Sequence, residues 1–263
     1  MERRTLGISQ KAYTESIIKK FGRENAKPCL TPLEPGVNLT KADEPQTEED
    51  KAKMKSKPYR SLVGSLMYLA CGTRPDISVA VAKLSRFLEN PGEKHWDADI
   101  KVVRYLLKTK DVGIVYDGLL GTQLEAYSDA DWAGNHDDRR SKTVALSSTE
   151  AEYMALSDCV KECVWMRRLL KDIGTEQVGA TVIYEDNQGE VASAKNVGYQ
   201  ARTKHIDIRY HFIREKVMSN EVELEYVDTK NQLADFMTKG LSSKTLRYLM
   251  MRSNVGPKLE TSN

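Results

Sequence analysis

The hydrophobic period of the chain changes once, near Lys110, and this limits the fold to a helical part followed by an α/β part. Before Lys110 the apolar residues recur at helical spacing. Tyr13, Ile17 and Phe21 mark a helix from Ser9 to a stop at Gly22, and Leu62, Val63, Leu66, Met67 and Ala70 mark a second, closed by Gly72. Pro75 suits the first turn of a helix, and Ile77, Val81, Leu84 and Leu88 follow until Asn90-Pro91-Gly92 breaks the pattern. Trp96, Ile100, Val103 and Leu107 form the stripe of a further helix. Between these elements Glu34 to Lys57 loses periodicity and fills with Pro, Glu, Lys and Asp, which predicts a solvated linker over 34–57. The helical part, 1–110, carries no obvious chemistry.

After Lys110 the runs become short and β-prone. Val112 to Tyr116 and Gln123 to Ser128, separated by a glycine-containing turn, predict a hairpin. Ser147-Ser148-Thr149-Glu150 is a capping box that opens a helix to about Lys171. Thr181 to Glu185 is a β-branched strand, Asn187 to Lys195 a short helix, and Lys204 to Ser219 a longer basic helix. Glu221 to Val227 alternates as a strand, and Asn231 can cap a last helix, Gln232 to Lys239. The order is α/β, with the domain expected over 111–243 and a tail over 244–263.

At 263 residues and 40% hydrophobic, the chain can bury one or two ordinary cores. Its net charge of +2 does not by itself mark a nucleic-acid binder, so any basic surface has to be local. No run approaches the ~18 apolar residues of a membrane span. The start, Met1-Glu2-Arg3-Arg4, has no apolar stretch behind it, so no secretory signal is expected. Cys29, Cys71, Cys159 and Cys163 make no CxxC pair. Cys159 and Cys163, one helical turn apart, read as small core residues rather than zinc ligands. The chain reads as reduced and intracellular.

Four acids stand where solubility does not explain them. Asp129 ends a strand in Tyr127-Ser128-Asp129-Ala130-Asp131, and Asp186 ends the strand Val182-Ile183-Tyr184. Glu152 shares a helix face with Leu156 and Val160, and Asp235 lies beside Leu233, Ala234 and Met237. A charge on a core-facing stripe is costly unless paired or metal-bound. Several carboxylates that converge stay ionised together only with a cation between them. Hard oxygen donors without His or Cys suit magnesium or manganese, the usual frame of two-metal phosphodiester hydrolysis. Asp131 is a supporting acid or a turn residue. Any one of the four, alone, is most simply a cap or strand-end residue; the set is harder to dismiss.

The strings YSDADWAG (127–134), DRRSK (138–142), ALSSTEAEYMAL (145–156), EDNQ (185–188), KHIDIRYHFIRE (204–215) and NQLADFMTKGL (231–241) resemble the ribonuclease H of copia-type retrotransposon Pol polyproteins. YRSLVGSLMYLA (59–70) and TRPDI (73–77) resemble the segment between the reverse transcriptase palm and that ribonuclease H. The resemblance implies a ribonuclease H-like mixed sheet with flanking helices, preceded by a small helical unit. It implies two Mg2+ or Mn2+ ions held by Asp129, Glu152, Asp186 and Asp235, the same four acids. The implied substrate is an RNA–DNA hybrid, whose 2′-hydroxyls distinguish the RNA strand. The implied setting is cytoplasmic, with no membrane, and the rest of the polyprotein is a further partner. Lys195, Arg202, Lys204, Arg209, Arg214 and Lys216, against Asp207 and Glu215, make a local phosphate-contacting face as plausible as an ordinary solvated one. His205 and His211 read as surface or packing residues.

Two features depart from that family. The only Asp-Asp pair, Asp137-Asp138, lies in a hydrophilic stretch, so no polymerase active site is present. The family's two antiparallel strands between the first Asp and the Glu-bearing helix need on the order of 20 residues with their turns. The interval from Asp129 to Glu152 is only 23 positions, much of it loop and cap. The sheet is therefore expected to lack its second and third strands, with a deletion or a mispredicted intron between Thr143 and Val144. Two functions stay open: a hybrid nuclease with impaired activity, and a non-catalytic nucleic-acid-binding or structural fragment of the polyprotein.

Overall fold

The computed structural model describes residues 5–118, 121, 123–130, 148–195 and 204–257. They form two compact units, Met1–Leu120 with Lys239–Asn263, and Gly121–Thr238.

The first unit opens with strand β1 (Thr5–Ile8) and helix α1 (Lys11–Lys20), which buries Thr14, Ile17 and Ile18. Helix α1 stops at Gly22, whose φ of 61° is the left-handed conformation that glycine adopts without strain. Helices α2 (Glu48–Lys55), α3 (Tyr59–Gly72), α4 (Ser78–Ser85) and α5 (Glu93–Lys108) follow, then strand β2 (Val112–Asp117). The α3 stripe Leu62, Val63, Leu66 and Leu69 is fully inside, as are Leu84 of α4 and Val102, Val103 and Leu106 of α5, the helices α3 packs on. Each such side chain contributes about 1.5–3 kcal/mol by leaving water.

The buried face of α5 is turned from the one its apolar residues indicate. His95, Asp99, Val102, Val103 and Leu106 are inside, whereas Trp96, Ile100 and Leu107 are half-buried. The cause lies in the segment expected to be a linker. It is laid along α5, with Leu39 and Met54 buried and helix α2 formed. Its charges are spent on α5 and the turn before it: Lys94 pairs with Asp43 at 2.9 Å, Asn90 donates to Glu44 at 2.9 Å, and Lys101 pairs with Glu34. A Cβ at Gly92 would lie 1.9 Å from the Asp43 carbonyl oxygen, so only glycine admits this crossing.

The TRPDI segment has a structural use. Arg74, 1% exposed, forks onto Asp76 at 2.9 and 2.8 Å and reaches the carbonyl and hydroxyl of Thr109 at 2.9 and 2.7 Å. The Tyr105 hydroxyl donates to Asp76 at 2.7 Å. The turn Pro75–Ile77 is thereby fixed to the end of α5. Arg74→Met is expected to cost about 3 kcal/mol or more in urea unfolding, because Asp76 is left buried without its cation. A loss under about 1 kcal/mol would show that the pair does not hold the turn.

The second unit contains strand β3 (Glu125–Tyr127), helix α6 (Ser148–Asp172), strand β4 (Thr181–Glu185), helices α7 (Gln188–Lys195) and α8 (Lys204–Met218), strand β5 (Val222–Tyr226) and the single turn α9 (Asp235–Thr238). Its sheet is parallel, in the order β3-β4-β5. Ile183, Val222 and Leu224 pack against Leu156, Val160, Cys163, Tyr210 and Ile213 of α6 and α8. Tyr127 and Tyr184, paired in register, stack at 4.8 Å. The junction Thr143/Val144, the capping Ser147 and Asp131 lie outside the described residues.

The chain then returns to the first unit with helix α10 (Ser243–Arg252) and strand β6 (Val255–Pro257). Strand β2 lies between β1 and β6, antiparallel to both, with Leu6 opposite Tyr116 and Ile114 opposite Val255. Three expectations are corrected here. Strand β2 forms no hairpin with β3 and belongs to the first unit, so the division falls after Leu120 instead of Lys110. The segment 244–263 is not a bare tail, since it supplies a helix with Leu246, Leu249 and Met250 buried and a strand that completes a sheet. Asn231 caps no helix; it ends the 3-10 turn Thr229–Asn231, whose N-cap is Asp228. The architecture is α/β with two small sheets. No helix among the described residues is long and apolar enough to cross a membrane.

Candidate metal centre

Because β3 and β4 run parallel and in register, their carboxyl ends open at one edge of the sheet, where open α/β sheets generally place their ligands. Tyr127 pairs with Tyr184, and the Ser128 amide continues the ladder onto the Tyr184 carbonyl at 3.0 Å. Asp129 and Asp186 follow directly. Asp235 starts α9 and is 6% exposed. One carboxylate oxygen from each of these three aspartates lies within 4.8 Å of the other two.

Neutral donors hold two of them. The Thr238 hydroxyl donates to Asp129, and the Thr229 hydroxyl donates to Asp186 at 2.9 Å. Three carboxylates at this spacing, with hydroxyl donors and no nitrogen or sulfur ligand among them, fit a hard divalent cation such as magnesium or manganese.

The fourth expected acid, Glu152, is not one of these three. Glu152 lies on α6, half-buried, with Oε2 inside the protein, and no oxygen of it joins the three-aspartate set. Its charge acts on Glu185, which sequence reasoning missed. Glu185 is fully buried, on the same face of β4 as Thr181 and Ile183. Burial above all, then the charges of Glu152, Asp186 and Asp129, push its carboxyl up to about 8, opposed by the Ser128 hydroxyl. A carboxyl raised in this way limits how much negative charge the end of β4 carries at neutral pH. The strand's own alternation, Thr181, Ile183, Glu185, was the signal available in the sequence.

Gln232 was also missed. It is fully buried, and its Nε2 donates to the Ser128 carbonyl at 2.8 Å.

The expected phosphate-contacting cations fare unevenly. Arg209 is half-buried and pairs with Asp158 of α6 at 3.2 Å, and Lys216 pairs with Glu221 at 2.9 Å and Glu215 at 3.3 Å. Both fasten α8 to its neighbours. Arg214 is half-buried. Arg202 and the side chains of Lys195, Lys204 and His205 lie outside the described residues. His211 is exposed, edge-on to Tyr210 at 5.8 Å.

The second unit thus combines a parallel α/β sheet with an acidic centre at the ends of its strands. Over an alignment 256 positions long that covers 90% of it, the chain is 42% identical to the retrovirus-related Pol polyprotein from transposon TNT 1-94 of Nicotiana tabacum. It is 37% and 38% identical, again over 90% of its length, to the retrovirus-related Pol polyproteins from transposons RE2 and RE1 of Arabidopsis thaliana. These relatives are copia-type retrotransposon Pol polyproteins, and the chain is similar to one segment of them. It spans 17–19% of the length of these three relatives. No family model and no solved structure matches it.

Proposed function

We propose that the second unit is a ribonuclease H-like nuclease that hydrolyses the RNA strand of an RNA–DNA hybrid. The observation that carries this reading is the convergence of Asp129, Asp186 and Asp235 within 4.8 Å. Bound Mg2+ or Mn2+, two ions, supplies an activated water and neutralises charge on the leaving 3′ oxygen. Asp129 and Asp186 anchor one side of the centre on the rigid sheet edge, and Asp235 closes it from α9. The parallel order β3-β4-β5 suits a ribonuclease H-like sheet, and the short interval from Asp129 to Glu152 reads as the loss of its second and third strands. The partners are the hybrid and the remainder of the polyprotein.

A second reading is favoured by the position of Glu152, outside the aspartate group. A centre with three of its four acids assembled binds a cation and works poorly, which makes the chain a nucleic-acid-binding fragment with residual activity. Misplacement by about 1 Å costs roughly 10²-fold in rate.

One matched assay separates the two. The chain as it stands, and a version with two strands restored between Thr143 and Val144, are given a labelled hybrid in magnesium, with Asp186→Asn as the blank. The restored chain is expected to cleave at least about 10²-fold faster. No cleavage by the restored chain would overturn the nuclease reading in favour of the binding fragment.

A further inference from the structure

Asp129, Asp186 and Asp235 come from three separate segments, and a single neutral side chain links the segment of Asp235 to that of Asp129. Gln232 is fully buried. Its Nε2 donates to the Ser128 carbonyl at 2.8 Å, and its Oε1 accepts from the Ala234 amide at 3.3 Å. Ser128 immediately precedes Asp129, and Ala234 immediately precedes Asp235. Ser128 is in turn bonded through its own amide to the Tyr184 carbonyl, two residues before Asp186. One side-chain amide therefore ties the end of β3, next to Asp129, to the residue before Asp235, and the main-chain bond from Ser128 to Tyr184 carries the tie on to β4.

The chemistry at this position is demanding. A carbonyl needs a donor and an N–H needs an acceptor, and both groups face the same side chain. A primary amide offers both at once without adding charge. A carboxylate lacks the donor, an ammonium lacks the acceptor, and an apolar side chain leaves two main-chain groups unpaired. Asn, shorter by one methylene, falls short of one of them. The need is geometric and electrostatic together: a further charge here would alter the centre it supports.

We infer that Gln232 is a positioning residue that sets the distance between the strand-end aspartates and Asp235. This rests on reading the acidic group as a divalent-cation centre. Groups that orient metal ligands from behind typically change affinity by about 10- to 100-fold when removed. The same segment supplies Thr229 to Asp186 and Thr238 to Asp129, but each of those touches one acid only.

The test is a Mn2+ titration of the full chain, read by electron paramagnetic resonance, with circular dichroism to check the fold. Gln232→Met, which keeps the volume and removes both bonds, is expected to weaken Mn2+ binding about 10- to 100-fold with the fold retained. Gln232→Asn is read in its place if the Met variant does not fold, and is expected to weaken binding as well. Leu224→Ala is the control: it removes core packing in the same unit and touches none of the bonds to the acids, so its Mn2+ affinity should match the parent's. Parent-like affinity in a folded Gln232 variant overturns the inference, as does an equal loss in Leu224→Ala. A parent chain that binds Mn2+ no better than Asp186→Asn overturns the metal reading itself, and the inference with it.

Discussion

Asp186→Asn should abolish the thermal stabilisation of the chain by Mg2+ or Mn2+, and should leave the cation-free protein at least as stable as the parent. Both effects follow from three carboxylate oxygens within 4.8 Å of one another. Without a cation this group repels itself, and the repulsion is stronger for a buried member such as Asp235 than at an open surface. Asparagine keeps the shape of aspartate and presents an oxygen to the Thr229 hydroxyl, so the hydrogen bond at 2.9 Å can persist. What is lost is one ligand and one negative charge. A ligand at 100 times its dissociation constant stabilises the native state by about 2.7 kcal/mol, which the parent should show as a rise in melting temperature of several degrees. The Asn variant should show none, and hybrid cleavage by the strand-restored chain should fall with it. Asp129→Asn and Asp235→Asn should behave alike. A full cation-induced shift in all three variants would mean that the ion binds elsewhere.

What the sequence made legible and what it hid divide along one physical line. Elements written by local periodicity came out nearly as they are: α3 over Tyr59–Gly72, β4 over Thr181–Glu185, α8 from Lys204. The aspartates at the strand ends were legible for the same reason, since a polar residue that closes a β-branched run is a local signal. Partner choice is not local. Val112–Asp117 alternates as a strand should, but nothing within it indicates pairing with Thr5–Ile8 and Val255–Pro257, each more than a hundred residues away. Nor does the composition of 34–57 show that its acids and amides are matched to Lys94, Asn90 and Lys101. Buried polar residues were the hardest to read. Hydropathy gives His95, Asp99, Glu185 and Gln232 to the solvent, and each is fully buried. Gln232 is inside because two main-chain groups need it, and those groups are visible only once the three segments have met.

Asp99 has no such partner, and its burial should govern the stability of the first unit against pH. It is fully buried, and neither carboxylate oxygen has a hydrogen-bond partner. Burial pushes its carboxyl up to about 8 from an ordinary value near 3.8. The groups around it do nothing to favour the charge. Tyr59, from α3, donates its hydroxyl to the Leu84 carbonyl at 2.8 Å. His95, one turn earlier on α5, accepts from the Gly92 amide at 2.9 Å, and burial holds its imidazole below the usual range, toward the neutral form. Below about pH 4 Asp99 is protonated in the folded and unfolded chain alike and costs nothing. Between about 4 and 8 the unfolded chain releases a proton that the folded chain keeps, so stability falls by about 1.4 kcal/mol per pH unit, an upper bound where water can enter. Above about 8 both forms are ionised and the loss is complete. Asp99→Asn removes this slope. Urea unfolding should find the stability of the variant relative to the parent growing from pH 5 to pH 8, by on the order of 2–4 kcal/mol. His95 acts in the opposite direction as pH falls below about 6.5, and Glu185, in the second unit, acts in the same direction as Asp99. Both are present in each protein, so the difference between the two curves isolates Asp99. Parallel curves from pH 5 to pH 8 would mean that Asp99 is ionised inside the fold, with a cation or water beside it to carry the charge.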